Sequence, residues 1–251
     1  MTAFRAATDT HPLDDPVGAA LTGPHAHFAR RRGSILRYHP DVAPWFAVPD
    51  APGAGDWADA AALAGPGGAV TITAFREPPP DDWEIVFHAE GVQLVDAGVA
   101  AEPFPGAVRL GPADVPEMLD LVARTRPGPF LPRTVELGTY LGVRRDGALV
   151  AMAGERLRPF GWSEISGVCT DESARGRGLG GALVRAVAHA IRERGETPFL
   201  HAAASNTGAV RLYETLGFVL RRRTSFLSAL VPQRWPAGAP ATADDRATIV
   251  R

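Results

Sequence analysis

The residues Arg175-Gly176-Arg177-Gly178-Leu179-Gly180-Gly181 combine four glycines with two arginines. They follow Trp162–Thr170, a stretch with strand composition. They open a run in which Leu179, Leu183, Val184, Val187, Ala188 and Ile191 recur at helical spacing. A Gly-rich turn therefore leads into the first turn of an amphipathic helix. Backbone N–H groups there lack intrahelical partners and sit at the positive end of the helix dipole. Glycines leave room for a ligand to approach the backbone, and the arginines add fixed positive charge. This is the chemistry of an anion site, suited to a phosphate or pyrophosphate. A nucleotide-type phosphate loop needs a lysine after its last glycine, but all 26 basic residues of this chain are arginine. Gly176, Gly178 and Gly181 match the Gly-x-Gly-x-x-Gly spacing of dinucleotide folds. The next strand, residues 198–204, nevertheless carries no acidic residue to hold a ribose.

Other reactive residue types are sparse. Cys169 is the single cysteine, so an internal disulfide and a cysteine-rich metal site are excluded. His25, His27 and His39 lie near one another in sequence, but residues two apart do not share a helix face and no carboxylate pattern accompanies them. No metal is expected. The formal net charge of -2 gives no electrostatic case for nucleic acid or an anionic membrane as partner. No uninterrupted apolar stretch reaches the ~18 residues of a membrane span. The N-terminus lacks the apolar core of a signal peptide, so the expected location is the cytoplasm.

The elements that must position the loop read as a mixed α/β chain of two parts. Residues 1–105 form an α/β unit without a chemical motif. A helix over 16–32 is interrupted at Gly23-Pro24. Strands are expected at 34–38, 45–48 and 69–75, with two further separate strands at 83–87 and 91–95. Asp56 is expected to cap a helix over 57–63. Pro103 and Pro105 mark a boundary. Residues 106–232 then run as a strand, a helix opened near Pro112, a stiff segment 126–133, and a hairpin turning at Asp146-Gly147. The strand ending at Thr170, the Gly-rich helix, a strand to Ala204 and a helix capped by Asn206 and ended by Gly217 follow. Two short strand segments at 218–220 and 225–227 complete it. Residues 233–251, rich in Ala, Pro and Asp, are expected to be a disordered tail.

Three motifs in that order resemble the GNAT superfamily of N-acetyltransferases. Arg175, Gly178 and Gly180 fill the Arg/Gln-x-x-Gly-x-Gly/Ala pattern of its acyl-CoA pyrophosphate loop. Asn206 opens the next helix. Leu212-Tyr213-Glu214-Thr215-Leu216-Gly217-Phe218 is similar to the family's Leu-Tyr-x-x-Leu-Gly-Phe signature. The phrase Gly195-Glu196-Thr197-Pro198-Phe199-Leu200-His201 further resembles the branch that includes glycine N-acyltransferase-like proteins, many of which carry a diverged N-terminal half.

The resemblance implies a C-terminal GNAT fold with splayed central strands behind a smaller GNAT-like α/β unit. It also implies an acyl-CoA-dependent N-acyltransferase that uses acetyl-CoA as co-substrate and no metal. Val168, Cys169 and Thr170 would pair with pantetheine. Backbone from Arg175 through Gly176, Arg177, Gly178, Leu179, Gly180 and Gly181 would hold the pyrophosphate, and Asn206 would touch the cofactor. Tyr213 matches the family's general acid. The base is open between Glu164, expected on one strand face with Ser166, Val168 and Thr170, His201, and a water chain; imidazoles in general ionise near neutrality. In the stiff segment, Phe130 and Leu131 are expected to contact the acceptor's apolar portion, and Arg126 or Arg133 its carboxylate. The acceptor is then a small-molecule amine or amino acid derivative. The alternative function is a catalytically inactive CoA-binding regulatory or assembly protein.

Overall fold

The computed structural model describes residues 11–233; the expected tail lies almost wholly outside them. The first half contains strands β1 (Ala29–Arg32), β2 (Ile35–Tyr38), β3 (Trp45–Ala47), β4 (Ala69–Thr73) and β5 (Glu84–Asp96), with helices α1 (Pro16–Leu21) and α2 (Ala54–Ala64). The second half runs β6 (Val108–Leu110), α3 (Val115–Thr125), β7 (Tyr140–Arg145), β8 (Ala148–Glu155), β9 (Trp162–Thr170), α4 (Leu179–Glu193), β10 (Thr197–Ala203), α5 (Thr207–Leu216) and β11 (Phe218–Leu230).

Among the described residues these strands form one mixed sheet in the order β1-β2-β3-β4-β11-β5-β10-β9-β8-β7-β6. Strand β5 from the first half therefore lies between β10 and β11 of the second. Its residues 91–95 pair with β10, and most of its length pairs with β11. The packing is shared as well: Leu137, Leu157 and Phe199 sit with Leu13, Tyr38 and Trp45, while Leu227 and Ala229 sit with Ile35 and Trp57.

Several expectations are corrected. Residues 29–32 are a strand and not the end of a helix. Helix α1 stops before Gly23-Pro24, and Gly33 at φ +54 turns the arginines back onto β2. Strands 83–87 and 91–95 are one strand, as are 218–220 and 225–227; paired over this length, β5 and β11 support each other through a bulge near Arg221. Asp56 is not the cap of α2 but its third residue, reaching back to the Gly53 N–H at 2.8 Å.

Two features position the site. Strands β9 and β10 pair in parallel from Trp162↔Thr197 to Ile165↔Leu200 and no further. Beyond that point β9 stays with β8 and β10 stays with β5, so the sheet opens into a gap. Strand β9 also carries a bulge. Met152 faces Cys169 while Gly154 faces Ser166, so Gly167 and Val168 together oppose Ala153, with Gly167 at φ +63. The extra residue reverses the alternation beyond it. Cys169, not Val168 or Thr170, shares the face of Glu164 and Ser166, which corrects the face expected from unbroken alternation.

Candidate active site

The gap between β9 and β10 opens into a cavity of about 810 Å³. Residues 166–170 of β9 and the ends of β10 and α5 form one side. Residues 126–129, Leu131, Trp45 and residues of β4, β5 and β11 complete the lining.

At its mouth, the Gly-rich turn takes the shape that its composition predicts. Gly176 and Gly178 both have φ +73, a region costly for residues with a Cβ. The first α4 amide to reach a carbonyl is Ala182, bonded to Gly178 at 3.0 Å. The N–H groups of Leu179, Gly180 and Gly181 thus precede the helical ladder and are free for an anion. A Cβ at Gly180 would lie 3.8 Å from Thr170 Oγ1 and 4.0 Å from Val168 Cγ1, so the protein tolerates one while an approaching ligand would meet it. Arg175 lines the cavity, its Nε 3.3 Å from the Thr170 carbonyl, and Arg177 is exposed.

Asn206 caps α5 by accepting from the Ala209 N–H at 3.2 Å, and it lines the cavity. Tyr213 projects from the same helix. It is buried, packs edge-on against Phe218 at 6.3 Å, and lines the cavity. Its hydroxyl has no hydrogen-bond partner among the described residues. Burial pushes its pKa up to about 12, so the proton is retained at neutral pH.

Glu164 and His201 occupy a different environment from the one expected. Glu164 is fully buried and ion-paired with Arg156 through Nε at 2.9 Å and Nη2 at 2.6 Å. Burial alone would raise its pKa; the Arg156 guanidinium, with hydrogen bonds from Arg156 and His201, outweighs that and holds it down at about 2. His201 Nδ1 lies 2.8 Å from Glu164 Oε1, and its Nε2 lies 3.1 Å from Gln93 Nε2. Gln93 is oriented by its own partners: Nε2 donates to the Leu13 carbonyl at 2.9 Å, and Oε1 accepts from Arg221 at 2.8 Å. Gln93 therefore donates to His201 Nε2, and the imidazole proton sits on Nδ1 toward Glu164. Both ring nitrogens are engaged, and the carboxylate is neutralised. Neither base candidate presents a free lone pair to the cavity.

The stiff segment divides. Arg126 ends α3 in a left-handed turn (φ 50), is exposed, and lines the cavity, as does Leu131. Phe130 does not line it; it is buried edge-on against Tyr140 at 5.5 Å. Arg133 turns to solvent and forks onto Glu136 at 2.7 Å for each bond. The residues that sequence reasoning missed are Arg156, Trp45, Thr71, Phe87 and Ser228, which come from strands far apart in the chain. Cys169 lines the cavity but is buried, which pushes its thiol up, away from a reactive thiolate.

Relatives of known family share this architecture. The crystal structure of a putative acetyltransferase from the GNAT family of Novosphingobium aromaticivorans is 40% identical, covers 88% of this chain and 98% of its own, and superposes with a TM-score of 0.80. The chain belongs to the GNAT family. The FR47-like protein family matches residues 140–227 of this GNAT-family chain, a span that includes β9, the Gly-rich turn and Tyr213. A curated mycothiol acetyltransferase from Thermomonospora curvata is 39% identical over 82 residues, 32% of this chain and 27% of that protein. The chain thus spans about a quarter of that relative. A GCN5-related N-acetyltransferase from Kribbella flavida, 18% identical with a TM-score of 0.54 over 86% of this chain, shares the fold. No helix among the described residues is long and apolar enough to cross a membrane.

Proposed function

We propose that this GNAT acetyltransferase transfers acetyl from acetyl-CoA to the primary amine of a small molecule by direct attack on the thioester. One observation carries the reading: the β9–β10 gap has an anion-binding helix start at its mouth and an unpartnered tyrosine hydroxyl on its wall. The free edge of β9 at Val168, Cys169 and Thr170 suits pantetheine amides, as an added strand would. The amides from Gly176 to Gly181, with Arg175 and Arg177, suit the pyrophosphate. Asn206 borders the same path.

Acetyl-CoA supplies the activated acyl group. An N–C bond forms as the C–S bond breaks, Tyr213 gives its proton to the departing thiolate, and the proton released by the attacking amine passes into cavity water, from which Tyr213 is reprotonated. Glu164 and His201 act here as positioning residues: Glu164 orients Arg156 and His201 and does not itself take the amine proton. The cationic cavity wall favours the neutral amine over the ammonium, and water in the cavity carries the proton away. A covalent acyl-Cys169 is not part of this scheme. The inactive CoA-binding alternative is disfavoured because Tyr213 and the loop are both in place.

The reading places the protein in the glycine N-acyltransferase-like branch. Residues 106–232 form the catalytic part, and residues 1–105 form a diverged half that closes the acceptor side through Trp45, Thr71 and Phe87. The setting is the cytoplasm. The acceptor is an amine or amino acid derivative that meets Leu131 and Arg126.

Ligand-induced stabilisation tests this directly. Acetyl-CoA and CoA at 100 times their dissociation constants are expected to stabilise the fold by about 2.7 kcal/mol, with no effect of NAD. A shift with NAD alone would sink the proposal. Gly180→Val tests the loop without forcing a positive φ. The fold is expected to hold while acetyl-CoA affinity falls about tenfold or more by calorimetry, a loss of ~1.4 kcal/mol. Unchanged affinity would reduce the loop to a turn.

A further inference from the structure

The acceptor half of the cavity has a chemistry of its own. Among the described residues, Arg126, Arg156 and Arg175 line the cavity, and no aspartate or glutamate does. Arg175 stands beside the anion loop, which leaves Arg126 and Arg156 for the far side. Arg126 has no ion-pair partner among the described residues. Arg156 is 11% exposed and binds Glu164 through Nε and Nη2, and its guanidinium lies over the Trp45 ring at 5.2 Å from the centroid. Its Nη1 makes no hydrogen bond among the described residues, so its two N–H donors are free of protein acceptors. Trp45 also lines the cavity, but its indole N–H is buried away from it, so the open donors are those of Arg156 Nη1. A site with unmet donors and excess positive charge selects an acceptor oxygen that carries negative charge.

The floor beside Arg156 is a row across four strands. Trp45 pairs with Thr71, Thr71 with Ser228, and Ser228 with Phe87, so all four side chains share one face. Thr71 and Ser228 satisfy each other at 3.0 Å. The row therefore offers a ligand two aromatic surfaces more than hydroxyls. Phe87 is 53% exposed where it borders the cavity, an uncovered apolar ring at the end of the row.

We infer that the acceptor is an amine bearing both a carboxylate and a large apolar group, an apolar α-amino acid in its chemistry. Its carboxylate meets Arg156 Nη1 with Arg126 adding charge. Its side chain lies across the Trp45–Phe87 row, and its amine turns to the β9–β10 gap. This rests on the acetyl-transfer reading above and adds the acceptor class. A polyamine is the opposite case, because its second cation would face arginines with no lining carboxylate to offset them.

Matched acceptors separate the possibilities, with turnover read as thiol release from acetyl-CoA by the full-length protein: phenylalanine, phenylalaninamide, phenethylamine, glycine and spermidine. Phenylalanine is expected to exceed its amide about tenfold or more in kcat/KM, mainly through KM. Phe87→Ala, a surface truncation, is expected to lose the preference for phenylalanine over glycine while keeping that for acid over amide. Arg156→Gln combined with Glu164→Gln removes both buried charges together, and the acid-to-amide ratio is expected to fall toward unity. Equal or better turnover of the amide or spermidine by the wild-type protein overturns the inference, even if the double variant fails to fold. So does a Phe87→Ala protein with unchanged side-chain preference. Calorimetry with acetyl-CoA distinguishes the two levels. A protein that binds acetyl-CoA and acetylates none of the acids overturns the acceptor class alone, whereas one that binds no acetyl-CoA removes the reading beneath it.

Discussion

Tyr213→Phe is expected to lower turnover by about 100-fold or more while acetyl-CoA affinity stays within about twofold, the signature of a lost proton donor and not of lost binding. The substitution removes one oxygen and keeps the ring that packs edge-on against Phe218. Helix α5 keeps its Asn206 cap and its Gly217 end, so the fold should be unaffected. The hydroxyl lines the cavity without a protein partner, and burial holds its pKa near 12. It is therefore protonated when a thiolate departs and has no competing hydrogen bond to break. The position is sensitive because a thiolate leaving into a partly desolvated gap has little water to protonate it. Steady-state kinetics with acetyl-CoA and a turned-over amine, alongside calorimetry, give the two readings. Full activity in the variant would leave Tyr213 as a core aromatic of α5.

What the sequence revealed about this site is what short spacing can carry. The turn from Arg175 to Gly181 and the α4 stripe are readable because a helix start, its glycines and its apolar period are neighbours in the chain. The same holds for the Asn206 cap and Tyr213, one element later. The cavity wall built from β3, β4, β5 and β11 is different. Trp45, Thr71, Ser228 and Phe87 meet only because β5 enters the sheet between β10 and β11, and β4 pairs with β11; no local pattern announces either pairing. Local rules also fail where one residue overrides a period. Alternation put Glu164 and Thr170 on one face, but Gly167 adopts φ +63, adds a residue to β9 and reverses everything after it. In the segment 126–133, composition identified a stiff apolar run but not its orientation. Tyr140 takes Phe130 into the core, and Glu136 takes Arg133 to the surface.

Glu164→Gln is expected to destabilise the protein by about 3–5 kcal/mol at neutral pH, because it leaves the Arg156 charge desolvated and unpaired. Glu164 is fully buried, Arg156 only 11% exposed at the cavity wall, and the pair is bidentate, so no solvent replaces the missing partner. The combined Arg156→Met, Glu164→Gln protein is expected to recover part of the loss, since the uncompensated charge goes with its partner. The pH dependence follows from the carboxyl's shift from an ordinary 4.5 to about 2. A depressed folded-state pKa stabilises above the unfolded value and loses that contribution as pH falls through the folded one. The stability gap between wild type and Glu164→Gln should therefore be full above about pH 4.5 and narrow steadily toward about pH 2, because the unfolded carboxyl takes up its proton over that range while the native one stays ionised until about pH 2. Urea unfolding at neutral pH and at about pH 3 measures both ends. A gap that does not change with pH would mean the pair contributes shape rather than charge. In that case Arg156 would owe its place to the Trp45 ring, and the buried carboxylate would no longer account for how the guanidinium is presented to the acceptor.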